Sequence, residues 1–273
     1  MDEPIPLVKH LDHVLVEAED PTALFRLFSE GFGLPVAFEF GDYGEVLSGS
    51  VWAGNMLLQF ARFKELRFGH VAAWDEADAG RARLGGLGFD PALPVFEVAG
   101  MLSGFDLHPG AGHTSENWTT LEVKELLDPP GVVYLTEYQF DAESWRAGLA
   151  EAFAASGGGP LGFEGVQEVH VGLRDVNEAT PDWAHLLQGL PVYEGCAWGV
   201  AERAALRLIP WGKDEVASLM LRVRSVEETV AFLASAGMPA HETLDGVFLD
   251  ANLAQGLHLQ LVDGTSPAFW DYA

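Results

Sequence analysis

The stretch Asp12–Val36, DHVLVEAEDPTALFRLFSEGFGLPV, decides the fold because it occurs twice: Val169–Val192 reads VHVGLRDVNEATPDWAHLLQGLPV. Each copy opens with an apolar alternation that carries a histidine, His13 or His170, and reads as a strand. An acidic turn follows at Asp20 or Asp175, then an amphipathic run, and both copies leave through Gly-Leu-Pro-Val. Gly near a helix end with Pro just beyond is a stop signal, so helices are expected from about Pro21 to Glu30 and from about Ala179 to Gln188.

After Val36 come three short strand candidates, VAFEF, EVLSGSVWAG and NMLLQFARF, punctuated by Gly and Asp. They read as an antiparallel meander, which makes the unit βαβββ. A looser copy starts at Leu66, with FGHVAAW as strand, Asp75 to Leu87 as helix, Gly88 as stop and VVYLTEYQF as closing strand. A further copy starts near Ser218, with SLMLRV, a helix from Val226 to Ala236, Gly237 as stop and GLHLQLVD to close. The expected fold class is α+β, four βαβββ modules paired into two half-barrel domains. These are 1–140 (modules 1–63 and 64–140) and 166–273, joined by a helix and Gly-rich stretch over 141–165. Gly100–Trp118 reads as an insertion between strands.

With 273 residues, 48% of them hydrophobic, the chain has material for two compact domains. Its 15 Lys and Arg face 41 Asp and Glu, a formal charge of −26. That balance repels a nucleic-acid backbone and attracts cations, although net charge is first an argument about solubility. The single cysteine, Cys196, excludes an intramolecular disulfide and fits a reducing cytoplasm. Neither a basic leader nor a run of about 18 apolar residues is present, so a soluble cytoplasmic protein with no membrane partner is expected. Its expected partner is a small molecule, with a homodimer left open.

Four polar residues fall at matching places in the first two modules: His13, Gln59, His70 and Glu137. Alternation groups His13 with Leu11 and Leu15, Gln59 with Leu57 and Ala61, His70 with Phe68 and Ala72, and Glu137 with Val133 and Leu135. If the modules curve into a half-barrel, all four point into one concave surface. Imidazole, amide oxygen and carboxylate form an N/O set suited to divalent Fe, Mn, Co, Ni or Zn. The second half reads His170, then apolar or basic residues around Leu206–Ile209, then Leu219 and Gln260. Leu219 cannot bind a metal, so the second domain is expected to lack a complete site. Glu45, with Asp42 on the turn before a strand facing the site, is a candidate general base. Tyr134, Tyr138 and Trp52 read as core or pocket lining, and His108 and His113 are weaker candidates. No nucleophile elbow, phosphate-cradling loop or dinucleotide fingerprint occurs.

The His13-Val14 strand, the Asp20-Pro21 helix start, the Gly33-Leu34-Pro35 exit and the closing strand from Gly54-Asn55 to Leu58-Gln59 resemble the vicinal oxygen chelate superfamily. That family includes glyoxalase I, bleomycin-resistance proteins, methylmalonyl-CoA epimerase and extradiol dioxygenases, and the resemblance spans nearly the whole chain. It implies metal ligands from the first and last strands of paired modules, which carries over to His13, Gln59, His70 and Glu137. The order is similar to the epimerases, while His13, His70 and Glu137 alone resemble the dioxygenase triad. The implied function is a divalent-metal-dependent isomerase, lyase or dioxygenase acting on a small vicinal-oxygen substrate. The metal would serve as Lewis acid, with Glu137 as ligand or as base. The competing reading is a metal-free small-molecule-binding or antibiotic-resistance protein of the bleomycin type, motivated by the charge and eight tryptophans.

Overall fold

A computed structural model describes residues 5–44, 46–64, 81–193, 196–244 and 246–263. Strand β1 (Val8–Ala18) runs into Asp20, whose carboxylate accepts the backbone N–H groups of Thr22 and Ala23 and caps α1 (Pro21–Arg26). The helix widens into a π-helical turn over Leu27–Gly31. Strands β2 (Val36–Asp42), β3 (Val46–Trp52) and β4 (Leu57–Phe63) complete the first module. The second consists of β5 (Ala82–Pro91), α2 (Val95–Leu102), β6 (Pro109–Thr114), β7 (Trp118–Val123) and β8 (Val132–Tyr138).

Helix α3 (Ala142–Ser156) leads to the second half. There β9 (Phe163–Leu173), α4 (Val176–Leu186), β10 (Val192–Tyr193), β11 (Ala197–Ala201) and β12 (Ala204–Pro210) form one module. The last is β13 (Glu215–Val223), α5 (Val226–Ser235), β14 (Ala240–Thr243), β15 (Gly246–Leu249) and β16 (Leu259–Asp263). Among the described residues each half is one eight-stranded sheet, β2-β3-β4-β1-β5-β8-β7-β6 and β10-β11-β12-β9-β13-β16-β15-β14. Within a module the first and last strands pair in parallel, and the two modules of a half meet through antiparallel first strands, β1 with β5 and β9 with β13.

One face of each sheet carries the apolar set that packs on the helices. Phe28, Phe60, Phe89, Trp183 and Leu221 are each at most 1% exposed there, in a core continuous between the halves. Asn55 fastens the halves together: its amide nitrogen donates to the carbonyls of Val166 and Glu202 (2.8 Å each), and its oxygen accepts the Val166 N–H (3.0 Å).

Three expectations need correction. The first strand of the second module is β5, so residues 82–87 are extended rather than helical, and the module's helix is α2, beyond Pro94. The glycines of β5 imitate a helix stop, but they serve close approach: a Cβ on Gly86 would collide with the Val132 carbonyl and side chain, and one on Gly88 with the His13 ring. The segment Gly100–Trp118 is not an insertion but the end of α2 followed by edge strand β6. Finally, α3 is more than a linker, because it lies across the concave face of the first sheet. Trp145 packs on Phe38 with ring centroids 4.9 Å apart, and Leu149 joins Trp52 and Leu57 in a small apolar cluster.

Candidate functional site

The register of β1 against β5 slips between Leu11 and His13, a bulge that leaves Asp12 outside the ladder. Leu11 opposes the core residue Phe89, whereas His13 opposes Gly88. The bulge therefore separates Leu11 from the face of His13 and lets Asp12 reach that face. Asp12 is 1% exposed and is the hub of a buried polar network. Its carboxylate meets His13 Nδ1 at 2.7 Å and accepts the Tyr138 hydroxyl at 2.8 Å and an Arg146 Nη2–H at 2.6 Å. Arg146, on α3, also pairs with Asp90 at 2.9 Å. Burial pushes the Asp12 carboxyl up, but the hydrogen bonds and charges of His13 and Arg146 outweigh it and hold Asp12 well below the usual carboxylate range. Burial and the Asp12 charge push the Tyr138 phenol well up.

An ionised carboxylate only accepts, so His13 Nδ1 carries the proton toward Asp12. The other nitrogen, Nε2, faces the Tyr134 hydroxyl, with Gly88 leaving room for the ring between their strands. Tyr134 Oη also lies 3.4 Å from Gln59 Oε1, and Gln59 is held from behind by its Nε2–H to Ser48 Oγ at 3.0 Å. The hydroxyls of Ser50, Thr120 and Thr136, opposite Gln59 or next to Tyr134 on the same face, are buried with no hydrogen-bond partner among the described residues. Buried hydroxyls left in this state mark a polar interior suited to water or a polar ligand.

Of the four residues singled out in the sequence, the fold brings His13 and Gln59 together, through Tyr134. Glu137 lies on the opposite face of β8, with Val133 and Leu135, and its Oε2 accepts the Val95 N–H at the start of α2 (3.1 Å). Its expected place beside the other three is thus corrected: strand parity puts Tyr134, Thr136 and Tyr138 on the concave face instead. His70 and Glu45 lie outside the described residues. The corresponding first strand, β5, presents Gly86 and Gly88 beside Leu15 and His13. Sequence reasoning missed Asp12, Arg146 and the role of Tyr134; the adjacent Asp12-His13 pair and the i, i+4 spacing of Tyr134 and Tyr138 were the available signals.

Among the described residues no group of three or more His, Cys, Asp or Glu side chains is placed to hold a metal. The donors that converge are one imidazole, one amide and one phenol. They fit a divalent ion in donor chemistry, and the carboxylate behind His13 is the usual support of a metal-binding imidazole.

The second sheet repeats the arrangement with different groups. Its bulge falls between Val216 and Ser218, so Ser218 and not Leu219 lies beside His170, while Leu219 is core. His170 Nδ1 meets Ser218 Oγ at 2.8 Å and Nε2 meets Glu168 Oε2 at 2.9 Å, and Arg207 clamps Glu168 with bonds of 2.9 and 3.1 Å.

No family model matches the sequence, and no curated protein does. Solved structures do match. The 2,3-dioxygenase LapB from Pseudomonas sp. KL28 aligns over 96% of this chain and 94% of its own, with TM-score 0.56 and 10% identity. A variant of homoprotocatechuate 2,3-dioxygenase from Brevibacterium fuscum gives TM-score 0.58 and 11% identity over 98% of this chain and 76% of its own. A catechol 2,3-dioxygenase gives 0.56 and 15% over 97% and 90%. No helix among the described residues is long and apolar enough to cross a membrane. At these identities what is shared is architecture: the chain has the four-module fold of these 2,3-dioxygenase structures.

Proposed function

We propose that this chain is a divalent-metal-dependent enzyme that acts on a small oxygenated molecule at the concave face of the first sheet. The observation that carries the reading is the convergence of His13 Nε2, Tyr134 Oη and Gln59 Oε1, with Asp12 behind the imidazole. When bound by these three donors, the ion would supply Lewis-acid polarisation of substrate oxygens. The residues themselves supply the rest. Asp12 fixes the ring so that Nε2 turns its lone pair inward. Without the ion, Tyr134 Oη–H has two acceptors in reach, His13 Nε2 and Gln59 Oε1; it can give up that proton, and as the phenolate it can take one back. Ser50, Thr120 and Thr136 offer hydroxyls to a polar ligand, and α3 keeps bulk water from the face. A phenol beside the imidazole serves proton transfer, the chemistry of isomerases and lyases. The solved fold neighbours carry the name of 2,3-dioxygenases, and a variant of the homoprotocatechuate enzyme is known in complex with HPCA.

The test is metal content of protein purified without chelator. Stoichiometric divalent metal is expected in the wild type, none in His13→Ala, and an affinity about 10–100-fold weaker in Asp12→Asn. A metal-free wild type, or a metal that survives His13→Ala, overturns the reading.

A further inference from the structure

The polar cluster of the second sheet takes no part in that reading, yet it has the layout of an activated serine. Strand β9 places Glu168 and His170 two residues apart on one face, and the pairing of β13 with β9 sets Ser218 directly opposite His170. Glu168 is 6% exposed, and burial pushes its carboxyl up, but the bonds from His170 and Arg207 outweigh this and hold it below the usual range. The ionised carboxylate accepts, so His170 Nε2 carries the proton and Nδ1 presents its lone pair to Ser218 Oγ–H. A nucleophile in hydrogen-bond reach of a base, with the base oriented by a third group, is the recurring signature of nucleophilic catalysis, and it is recognised by geometry rather than by sequence order.

Access distinguishes this cluster from that of the first sheet. The side chains of His170 and Arg207 are 17% and 22% exposed, against 7% and 0% for His13 and Asp12. By register Ile209, Met220 and Phe248 share this face, all half-buried, so an apolar flank adjoins the polar centre.

We infer that the second domain carries its own acyl-transfer site, with Ser218 as nucleophile, His170 as base and Glu168 as the positioning residue, directed at small carboxylic esters with an apolar flank. Ser218 Oγ bonds to the acyl carbon while its proton passes to His170 Nδ1. The carbon–oxygen bond to the alcohol then breaks, and the alcohol leaves with that proton. Water next gives a proton to Nδ1 and adds to the acyl carbon, and Ser218 Oγ departs and recovers the proton. One water is consumed, ester becomes acid and alcohol, and nothing is oxidised or reduced.

The experiment is labelling of the full chain with a small fluorophosphonate, read by intact mass and peptide mapping, alongside hydrolysis of 4-nitrophenyl acetate. The expected result is one adduct, on Ser218, lost in Ser218→Ala and formed about 100-fold more slowly or less in His170→Gln. In Glu168→Gln the midpoint of the labelling pH profile should move as well as its rate, which a purely structural role would not produce. An unlabelled wild-type Ser218, or a labelling rate unchanged in His170→Gln, overturns the inference. The wild-type map decides without reliance on any variant's fold, and it is independent of metal content at the first sheet.

Discussion

The substitution Gly88→Ala tests the geometry of the first site most directly. Gly88 has an ordinary backbone conformation, so the only obstacle to a side chain is space. A Cβ there would lie 2.5 Å from His13 Nε2 and 2.7 Å from Nδ1, and closer still to Cε1. The ring must swing away, and it then surrenders its contacts with Asp12 and Tyr134, both buried. Asp12 keeps Tyr138 and Arg146, and Tyr134 keeps Gln59, so the loss falls on the two ring nitrogens of His13, whose missing partners cost about 1–3 kcal/mol each. Replacing a strand glycine returns about 0.5–1 kcal/mol through the unfolded chain. The expected net loss is about 1–5 kcal/mol, read from urea denaturation as a lower midpoint at constant slope. Gly100, within α2 and with nothing inside 4 Å of its would-be Cβ, is the control. Gly100→Ala should be neutral or stabilise by about 0.5–1 kcal/mol. A Gly88→Ala protein within about 0.5 kcal/mol of wild type, a difference typical of substitutions away from such features, would show that the imidazole does not occupy that space.

Other expectations follow from the same contacts. Arg146→Met should cost about 3–5 kcal/mol, because it strands the Asp12 and Asp90 carboxylates in the interior; a chemical denaturation curve unchanged from wild type would contradict the network. Glu137→Ala should lower stability by about 1 kcal/mol through loss of the bond to Val95 N–H, and calorimetric metal titration should match wild type; weakened metal binding would restore Glu137 to the ligand set. Glu168 has a folded-state pKa below its unfolded value, so its stabilising contribution is complete above about pH 4.3 and fades as pH falls through the folded value. The stability gap between wild type and Glu168→Gln should therefore narrow from pH 6 to pH 3, and a gap that widens on acidification would reverse that sign.

Where local chemistry sets the structure, the sequence was readable. Asp20 and Asp175, read as acidic turns, cap α1 and α4, and α5 occupies almost the Val226–Ala236 span expected before the Gly237 stop, with Ser225 as its cap. Helix α4 begins at Val176, three residues before the expected start at Ala179, since the Asp175 cap on Asn177 and Glu178 starts it ahead of the internal Pro181. What failed was non-local. The glycines of β5 look like a stop signal, but they exist to admit a histidine ring and a carbonyl from neighbouring strands. Alternation assigned His13 and Glu137 their faces, yet a bulge detaches His13 from Leu11, and Glu137 is claimed by the start of α2. A bulge or a cap from a distant strand leaves no local trace, so His13 and Gln59 could be seen as partners, while the Asp12-His13 adjacency and the Tyr134/Tyr138 spacing were too slight to seat Asp12, Tyr134 and Arg146 beside them.

The seat of α3 on the first sheet redraws where the protein can be divided. Sequence order makes Ala142–Ser156 a connector that belongs to neither half, and a genetic cut after Phe140 looks natural. Such a cut would bare the faces of Phe38, Trp52 and Leu57, strip Asp12 of Arg146 and leave Asp90 with the more distant Lys9 alone among lysines and arginines of the described residues. The smallest portable version of the first half therefore ends after Gly157, where the helix finishes in a left-handed turn. Recombination or domain exchange in this lineage would succeed only if the connecting helix travels with the half that precedes it.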